Sequence, residues 1–314
     1  RALSETATFY FDQDKIQTAD LDGAVSFLSE TGKLTSSHAT IEFKPDETGS
    51  MQPKNVYTSG EAALETIPET QDSPPARFKA RKIDYDVQTG SGLAHGPINF
   101  MFYQPADTNS TTTDPWIPVI VTADDNARFI ADATGTMKQV VFNGNVLASR
   151  HQDKLDFEQQ DDLHGEKLIV DLDKGYVDSM EISTITMTGG DVYAQSQRIK
   201  DDEILSNVKL FCSEIVFNQT DDQIVAEGPG EIQMDNSKGG GSSASSNGAG
   251  VDFSKPCYVF IKGFDSINWD LNQETIVTDG QQDQLRLVYV PLLNGAPEKY
   301  VYVDSMRFDL SFGA

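Results

Sequence analysis

Short apolar runs with a period of two recur along the chain, and turn residues separate them. Ala39–Phe43, Lys167–Leu172, Glu181–Met187, Ile215–Phe217 and Arg286–Val290 alternate and are rich in Val, Ile, Thr, Phe and Tyr. Alternation puts one set of side chains on each face of an extended strand, so these runs read as strands with one buried face. Asn99–Tyr103 and Pro118–Val121 are apolar on both faces and read as strands held between two layers. Helix signals are scarce: Gly60–Glu65 has the composition for a turn or two of helix, and Pro68 ends it. The pattern predicts an all-β fold built from many short antiparallel strands.

The runs also repeat as a unit of strand, short turn, strand and then Gly beside a small or apolar residue. Copies lie at Ile16–Phe27, Ala76–Phe100, Ala127–Val146, Cys212–Ile232 and, more weakly, Phe264–Gly280. A Gly inside a strand permits a bulge, a corner or a close approach of stacked backbones. With Gly23, Gly96, Gly144 and Gly228 as corners, each strand pair folds over and the copies stack as β-arches around an apolar interior. The expected architecture is an elongated stack in two lobes, 1–115 and 116–314. Three polar or Pro-rich segments read as loops: Glu69–Pro75, Pro105–Pro115, and Ser237–Gly250, a Gly/Ser-rich insertion in the second lobe.

Two stretches carry a family likeness. Asp132–Asp171 contains Phe142-Asn143-Gly144-Asn145-Val146 and Leu163-His164-Gly165-Glu166-Lys167-Leu168-Ile169-Val170-Asp171, and Ala80–Gly96 is similar. This grammar resembles the OstA-like (LptA- and LptC-type) family, the periplasmic β-jelly-roll proteins of lipopolysaccharide transport. The resemblance implies a β-jelly roll, a slot for lipid acyl chains between the sheets, end-to-end joining through sheet edges, and no catalytic residues. Phe100, Phe102, Phe142, Val146 and Phe157 are the candidate slot residues.

The chain ends carry the candidate joining edges. Thr6–Phe11 is strand-like without a single charge, and Lys299–Val303 and Met306–Phe312 are similarly strand-prone. Neither end has the Pro or Lys cluster that guards an exposed edge. Phe9, Tyr10 and Phe11 at one end, and Phe308, Leu310 and Phe312 at the other, are the edge-pairing candidates for head-to-tail self-association.

Lys plus Arg number 24 and Asp plus Glu 49, so the net charge is −25. A field of that sign repels phosphate backbones and excludes nucleic acid as a partner. No apolar run of about 18 residues exists, so no transmembrane helix is expected. A chain starting at Arg1 without an apolar leader reads as a processed protein or a fragment, placed in the periplasm or cell exterior. Cys212 and Cys257 are compatible with one disulfide there, or with two free, partly buried thiols.

Chemistry is sparse. His38, His95, His151 and His164 have no His or Cys partner at metal spacing, and no nucleophile elbow or phosphate loop occurs, so neither a metal nor a cofactor is expected. The doublets Asp124-Asp125, Asp161-Asp162, Asp201-Asp202 and Asp221-Asp222 read as turn acids. A glycosidase needs two carboxylates facing each other across a cleft, which adjacent strand residues do not supply. The leading reading is a non-enzymatic structural or transport-bridge protein of the bacterial envelope. A cargo-free extracellular filament or surface-layer subunit is the alternative, and a carbohydrate-active β-solenoid enzyme the second.

Overall fold

The computed structural model describes residues 1–28, 32–66, 74–105, 115–133, 137–154, 156–172, 182–238, 255–273, 275–281 and 284–311. Every regular element among them is a strand. In chain order these are β1 (Ala2–Leu3), β2 (Thr6–Asp12), β3 (Lys15–Leu28), β4 (Gly32–Pro45), β5 (Met51–Ser59), β6 (Ala62–Thr66), β7 (Arg77–Ala80) and β8 (Lys82–Asp86). Next come β9 (Ser91–His95), β10 (Ile98–Pro105), β11 (Trp116–Ala123), β12 (Asn126–Ala131), β13 (Met137–Asp153), β14 (Glu158–Leu172), β15 (Ile182–Lys200) and β16 (Glu203–Asn218). The series closes with β17 (Gln223–Asp235), β18 (Cys257–Asp270), β19 (Thr275–Asp279), β20 (Leu285–Leu293), β21 (Ala296–Pro297), β22 (Val301–Ser305) and β23 (Arg307–Ser311).

The chain divides into two compact units that do not follow a single cut after residue 115. One unit holds Arg1–Pro105, Pro118–Leu147 and Lys167–Ser183; the other holds Ala106–Ile117, Ala148–Glu166 and Thr184–Ala314. Segments alternate between the units because β13, β14 and β15 are long enough to contribute to both.

In the first unit each long strand serves two rows. The start of β4, Gly32–Thr35, pairs with β6, and its later part, His38–Pro45, pairs with β5. One row continues β6–β7–β10; the other continues β5–β8–β9–β12–β13. The rows face each other, since Phe78 of β7 meets Phe129 of β12 at 4.9 Å between ring centroids. Beneath β3, β4 and β5 the interior is Ala19, Leu21, Val25, Ala39, Ile41 and Val56, all buried. Their alternation with exposed neighbours is the period-two signal of the sequence.

Of the four expected corner glycines, Gly23, Gly144 and Gly228 lie inside the long strands β3, β13 and β17, and only Gly96 lies at a strand break. Gly23 lies in the bulge between Asp22 and Val25, and Gly96 between β9 and β10. Gly144 has φ +84°, a backbone conformation that side-chain-bearing residues rarely adopt. A Cβ on Gly228, in the bulge of β17, would run into the Phe264 carbonyl.

In the second unit β15 to β18 form successive antiparallel hairpins. Their bulges are level with one another, at Thr188/Val192, Phe211/Glu214 and Glu227/Gly230. Past its own bend, β18 repeats the two-row rule: Cys257–Lys262 pairs with β20, and Ser266–Asp270 with β19. The core here includes Val192, Leu210, Ile232, Val259, Ile261, Phe264, Ile267 and Leu287.

Two expectations are corrected. Gly60–Glu65 is not helical: Ala62–Thr66 is β6, with Leu64 opposite Leu34 on one side and Phe78 on the other. Ladders on both sides override the local helix preference of Ala-Ala-Leu-Glu. Asp161-Asp162 is not a turn but lies inside β14, where Asp161 accepts from Arg150 Nη2 at 2.7 Å across the ladder. The other three acidic doublets do occupy turns. Of the three expected loops, 67–73, 106–114 and 239–254 lie outside the described residues.

Candidate interaction edges

The first unit ends in a strand with one partner. β2 pairs with β3 along Thr6–Asp12, and no other described strand lies against it. Ala7 stands opposite Leu21 and Phe9 opposite Ala19, both buried core residues. Directly opposed residues of an antiparallel pair point to the same face, so Ala7 and Phe9 belong to the core-facing side. Yet Phe9 is 52% exposed, and Phe11, opposite Ile16, is 65% exposed. Tyr10 projects on the other face and is also exposed. The strand therefore presents unpaired backbone groups together with core-type side chains that nothing covers.

The second unit ends in the same way. In β22, Val301 stands opposite Tyr289 and Val303 opposite Leu287, buried partners in both cases, while both valines are exposed. In β23, Phe308 and Leu310 oppose the buried Thr278 and Ile276 and are half-buried. Phe312 lies outside the described residues. This edge carries fixed charge. Arg286 clasps Asp304 with Nε and Nη2 at 2.6 and 3.1 Å, and that hydrogen-bonded guanidinium holds the Asp304 carboxyl below the usual carboxylate range. Arg307 Nε meets Asp309 at 2.9 Å, and its Nη1 lies 3.7 Å from Asp279.

Three of the expected slot residues come together. Phe100 stacks with Phe102 at 5.3 Å and with Phe142 at 6.0 Å, and Phe78 and Phe129 extend the cluster. Phe102 and Phe142 are buried, as is Val146, and Phe100 is half-buried. Phe157 is elsewhere, in the second unit, with the Arg198 guanidinium 5.1 Å from its ring centroid.

Cys212 and Cys257 are both buried and no disulfide joins them, so the optional bridge is not formed. Register explains why. Cys212 is level with Gly230, which opposes Phe264. Cys257 precedes Phe264 by seven residues, roughly 23 Å along the strand. A disulfide needs Cα atoms within about 7 Å. Burial pushes the Cys212 thiol up to about 12.

Asp84 and Asp86 both line a shallow open cavity of about 510 Å³ in the first unit. They stand two apart on β8, so their side chains project side by side rather than across a cleft. Asp84 is held by Lys82 Nζ at 2.9 Å and His95 Nε2 at 3.0 Å. Amide donors, Thr89 first and then Gln88, pull the Asp86 carboxyl below its ordinary range. A general acid needs the opposite shift. Among the described residues no group of three or more His, Cys, Asp and Glu could hold a metal ion. No described helix is long and apolar enough to cross a membrane.

The polar face around this cavity was not legible in the sequence. Its members come from β5, β8, β9 and β12, and only the register brings them together.

No family model matches the chain, and no curated protein matches it. Among solved structures the chain is similar to the crystal structure of LptH, the LptA homologous periplasmic component of the conserved lipopolysaccharide transport device from Pseudomonas aeruginosa. The identity is 14%, the match covers 60% of this chain and 82% of that one, and the TM-score is 0.28.

Proposed function

We propose that this chain is a non-enzymatic bridging protein of the bacterial envelope or cell exterior, whose copies join head to tail by strand addition. The observation that supports the reading is the pairing of exposed with buried at both terminal edges. Phe9 of β2, and Val301 and Val303 of β22, occupy core-facing positions opposite buried residues, yet they stand open. Leaving such an edge bare invites pairing, and natural proteins block it unless pairing is its use. An edge of β22 or β23 set against β2 of a second copy satisfies the backbone of both and continues the interior across the join. The contact is heterologous, so it propagates unless its rotation closes a ring. The −25 charge opposes association, and salt screens that repulsion.

The cargo-free form of the reading is favoured over acyl-chain transport. Phe102, Phe142 and Val146 are already buried against their neighbours, and acyl chains enter beside Phe100 only if the two rows part. Sedimentation velocity of the full chain over rising concentration tests the main reading. Species of increasing size are expected, enhanced by salt and abolished by deletion of residues 1–12. A protein that stays monomeric at high concentration and high salt overturns it. Fluorescence of a parinaric-acid probe separates the two forms: no enhancement is expected, and saturable enhancement restores the transport form.

A further inference from the structure

We infer that the outward face of β5, β8, β9 and β12 in the first unit is a saccharide-binding site for neutral pyranose chains. The argument begins with register. Tyr57 opposes Asp84, Asp84 opposes Leu93, and Leu93 opposes Arg128. One row over, Asn55 opposes Asp86, and Asp86 opposes Ser91. The alternate positions Val56, Ile83, Ala94 and Ala127 are buried in the core. Strand alternation therefore turns Tyr57, Asp84, Leu93, Arg128, Asn55, Asp86 and Ser91 away from the core. All seven line the cavity of about 510 Å³, a size within the range of small-molecule sites.

The floor is organised before any ligand arrives. Asp84 is gripped by Lys82 and His95. Tyr57 Oη donates to Glu42 at 3.2 Å, and Asn55 Nδ2 donates to the same oxygen at 2.8 Å, which fixes both side chains. Asp86 is held by the Gln88 and Thr89 amides. Preorganised polar groups lose little entropy on binding.

Charge selects the ligand class. Lys82 and His95 flank Asp84, and Lys54 is close enough to Asp86 to lower its pKa. Arg128 makes no ion pair with a described residue. With Asp84 already held by two cations and Asp86 by two amide donors, a cationic ligand gains little, and an anionic ligand meets Asp84 and Asp86. A neutral polyol uses both signs: carboxylate oxygens accept from vicinal hydroxyls, while the Arg128 guanidinium and the Asn55 amide donate. Tyr57 and Leu93 supply the apolar patches on which a pyranose ring rests its C–H face. The site uses no catalytic step and stands independently of the edge-joining reading.

Isothermal titration of the full chain with maltohexaose, cellohexaose and chitohexaose tests the site. At least one is expected to bind with a Kd of about 1 mM or tighter. The affinity should be unchanged between about 0.05 and 0.5 M salt, because the ligand is uncharged. Arg128→Ala, at an exposed position, should weaken binding about tenfold with an unchanged melting temperature. Tyr57→Ala should weaken it similarly, through loss of the ring. The proposal is overturned if none of the three binds up to about 10 mM, or if both alanine variants bind like the parent. Salt-sensitive spermine binding lost in Asp86→Asn, with no saccharide bound, also overturns it and makes the face a cation site.

Discussion

Phe142 and Phe9 make the same local pair and meet opposite fates. Each stands across an antiparallel ladder from a buried alanine, Ala127 for Phe142 and Ala19 for Phe9. Phe142 is 0% exposed and Phe9 is 52% exposed. The difference lies in what surrounds the pair: Phe142 has Phe100 facing it at 6.0 Å, whereas β2 has a partner on one side only. One residue type in one register thus serves cohesion in the interior and association at the edge. Burial of a large aromatic acts on whichever equilibrium removes it from water.

The largest effect that can separate the two positions is on stability. Phe142→Ala should cost about 3–5 kcal/mol, read as a fall in the chemical-denaturation midpoint, because it leaves a cavity among packed rings. A loss below about 1 kcal/mol would place Phe142 in a loosely packed interior and weaken the contrast. Phe9→Lys should leave stability within about 0.5 kcal/mol and weaken self-association by about 2 kcal/mol, roughly thirtyfold in concentration by sedimentation. Equal association by this variant and the parent would remove β2 from the joining contact. At the other end, Val303→Lys should weaken association by about 1 kcal/mol. Val buries less than Phe, and this edge already carries the Arg286–Asp304 pair. A larger effect at Val303 than at Phe9 would reverse the ranking of the two edges. The smallest effect concerns the thiols: dithiothreitol should leave the melting temperature unchanged, since no bridge exists to reduce. A native disulfide contributes about 2–5 kcal/mol, so a clear drop would show one. Cys212, held protonated by burial, should also resist alkylation at pH 8 in the native state.

What the sequence made legible follows from locality. Alternation is read within a single strand, so β4, β16 and β20 were visible as strands, and the glycines at 23, 96, 144 and 228 were visible as corners. The exposed strand at Thr6–Phe11 was visible because charge is absent from the run itself. Features set by register were not. Leu64 became a strand residue because of Leu34 and Phe78, 30 and 14 positions away in the chain. Asp161 left its expected turn for a ladder position opposite Arg150. The Tyr57–Asp84–Leu93–Arg128 row draws on four strands, and nothing local marks its members as neighbours. The division into units has no local mark either: a long strand contributing to both units gives no break in composition.

The two-row strands have a mechanical consequence. β3 and β4, like β16 to β18, pass from one row to the other through a level line of bulges. In each unit the rows are thus bound along one side by the chain itself, strand after strand, as pages are bound at a spine. At the strand ends away from that line each row closes on itself, as at the Gln13-Asp14 turn between β2 and β3. Sliding one row past the other would shear every bulged strand at once, whereas swinging them apart about the bulges leaves the ladder hydrogen bonds within each row intact. Such a body is stiff against tension along its rows and compliant only as a clamshell.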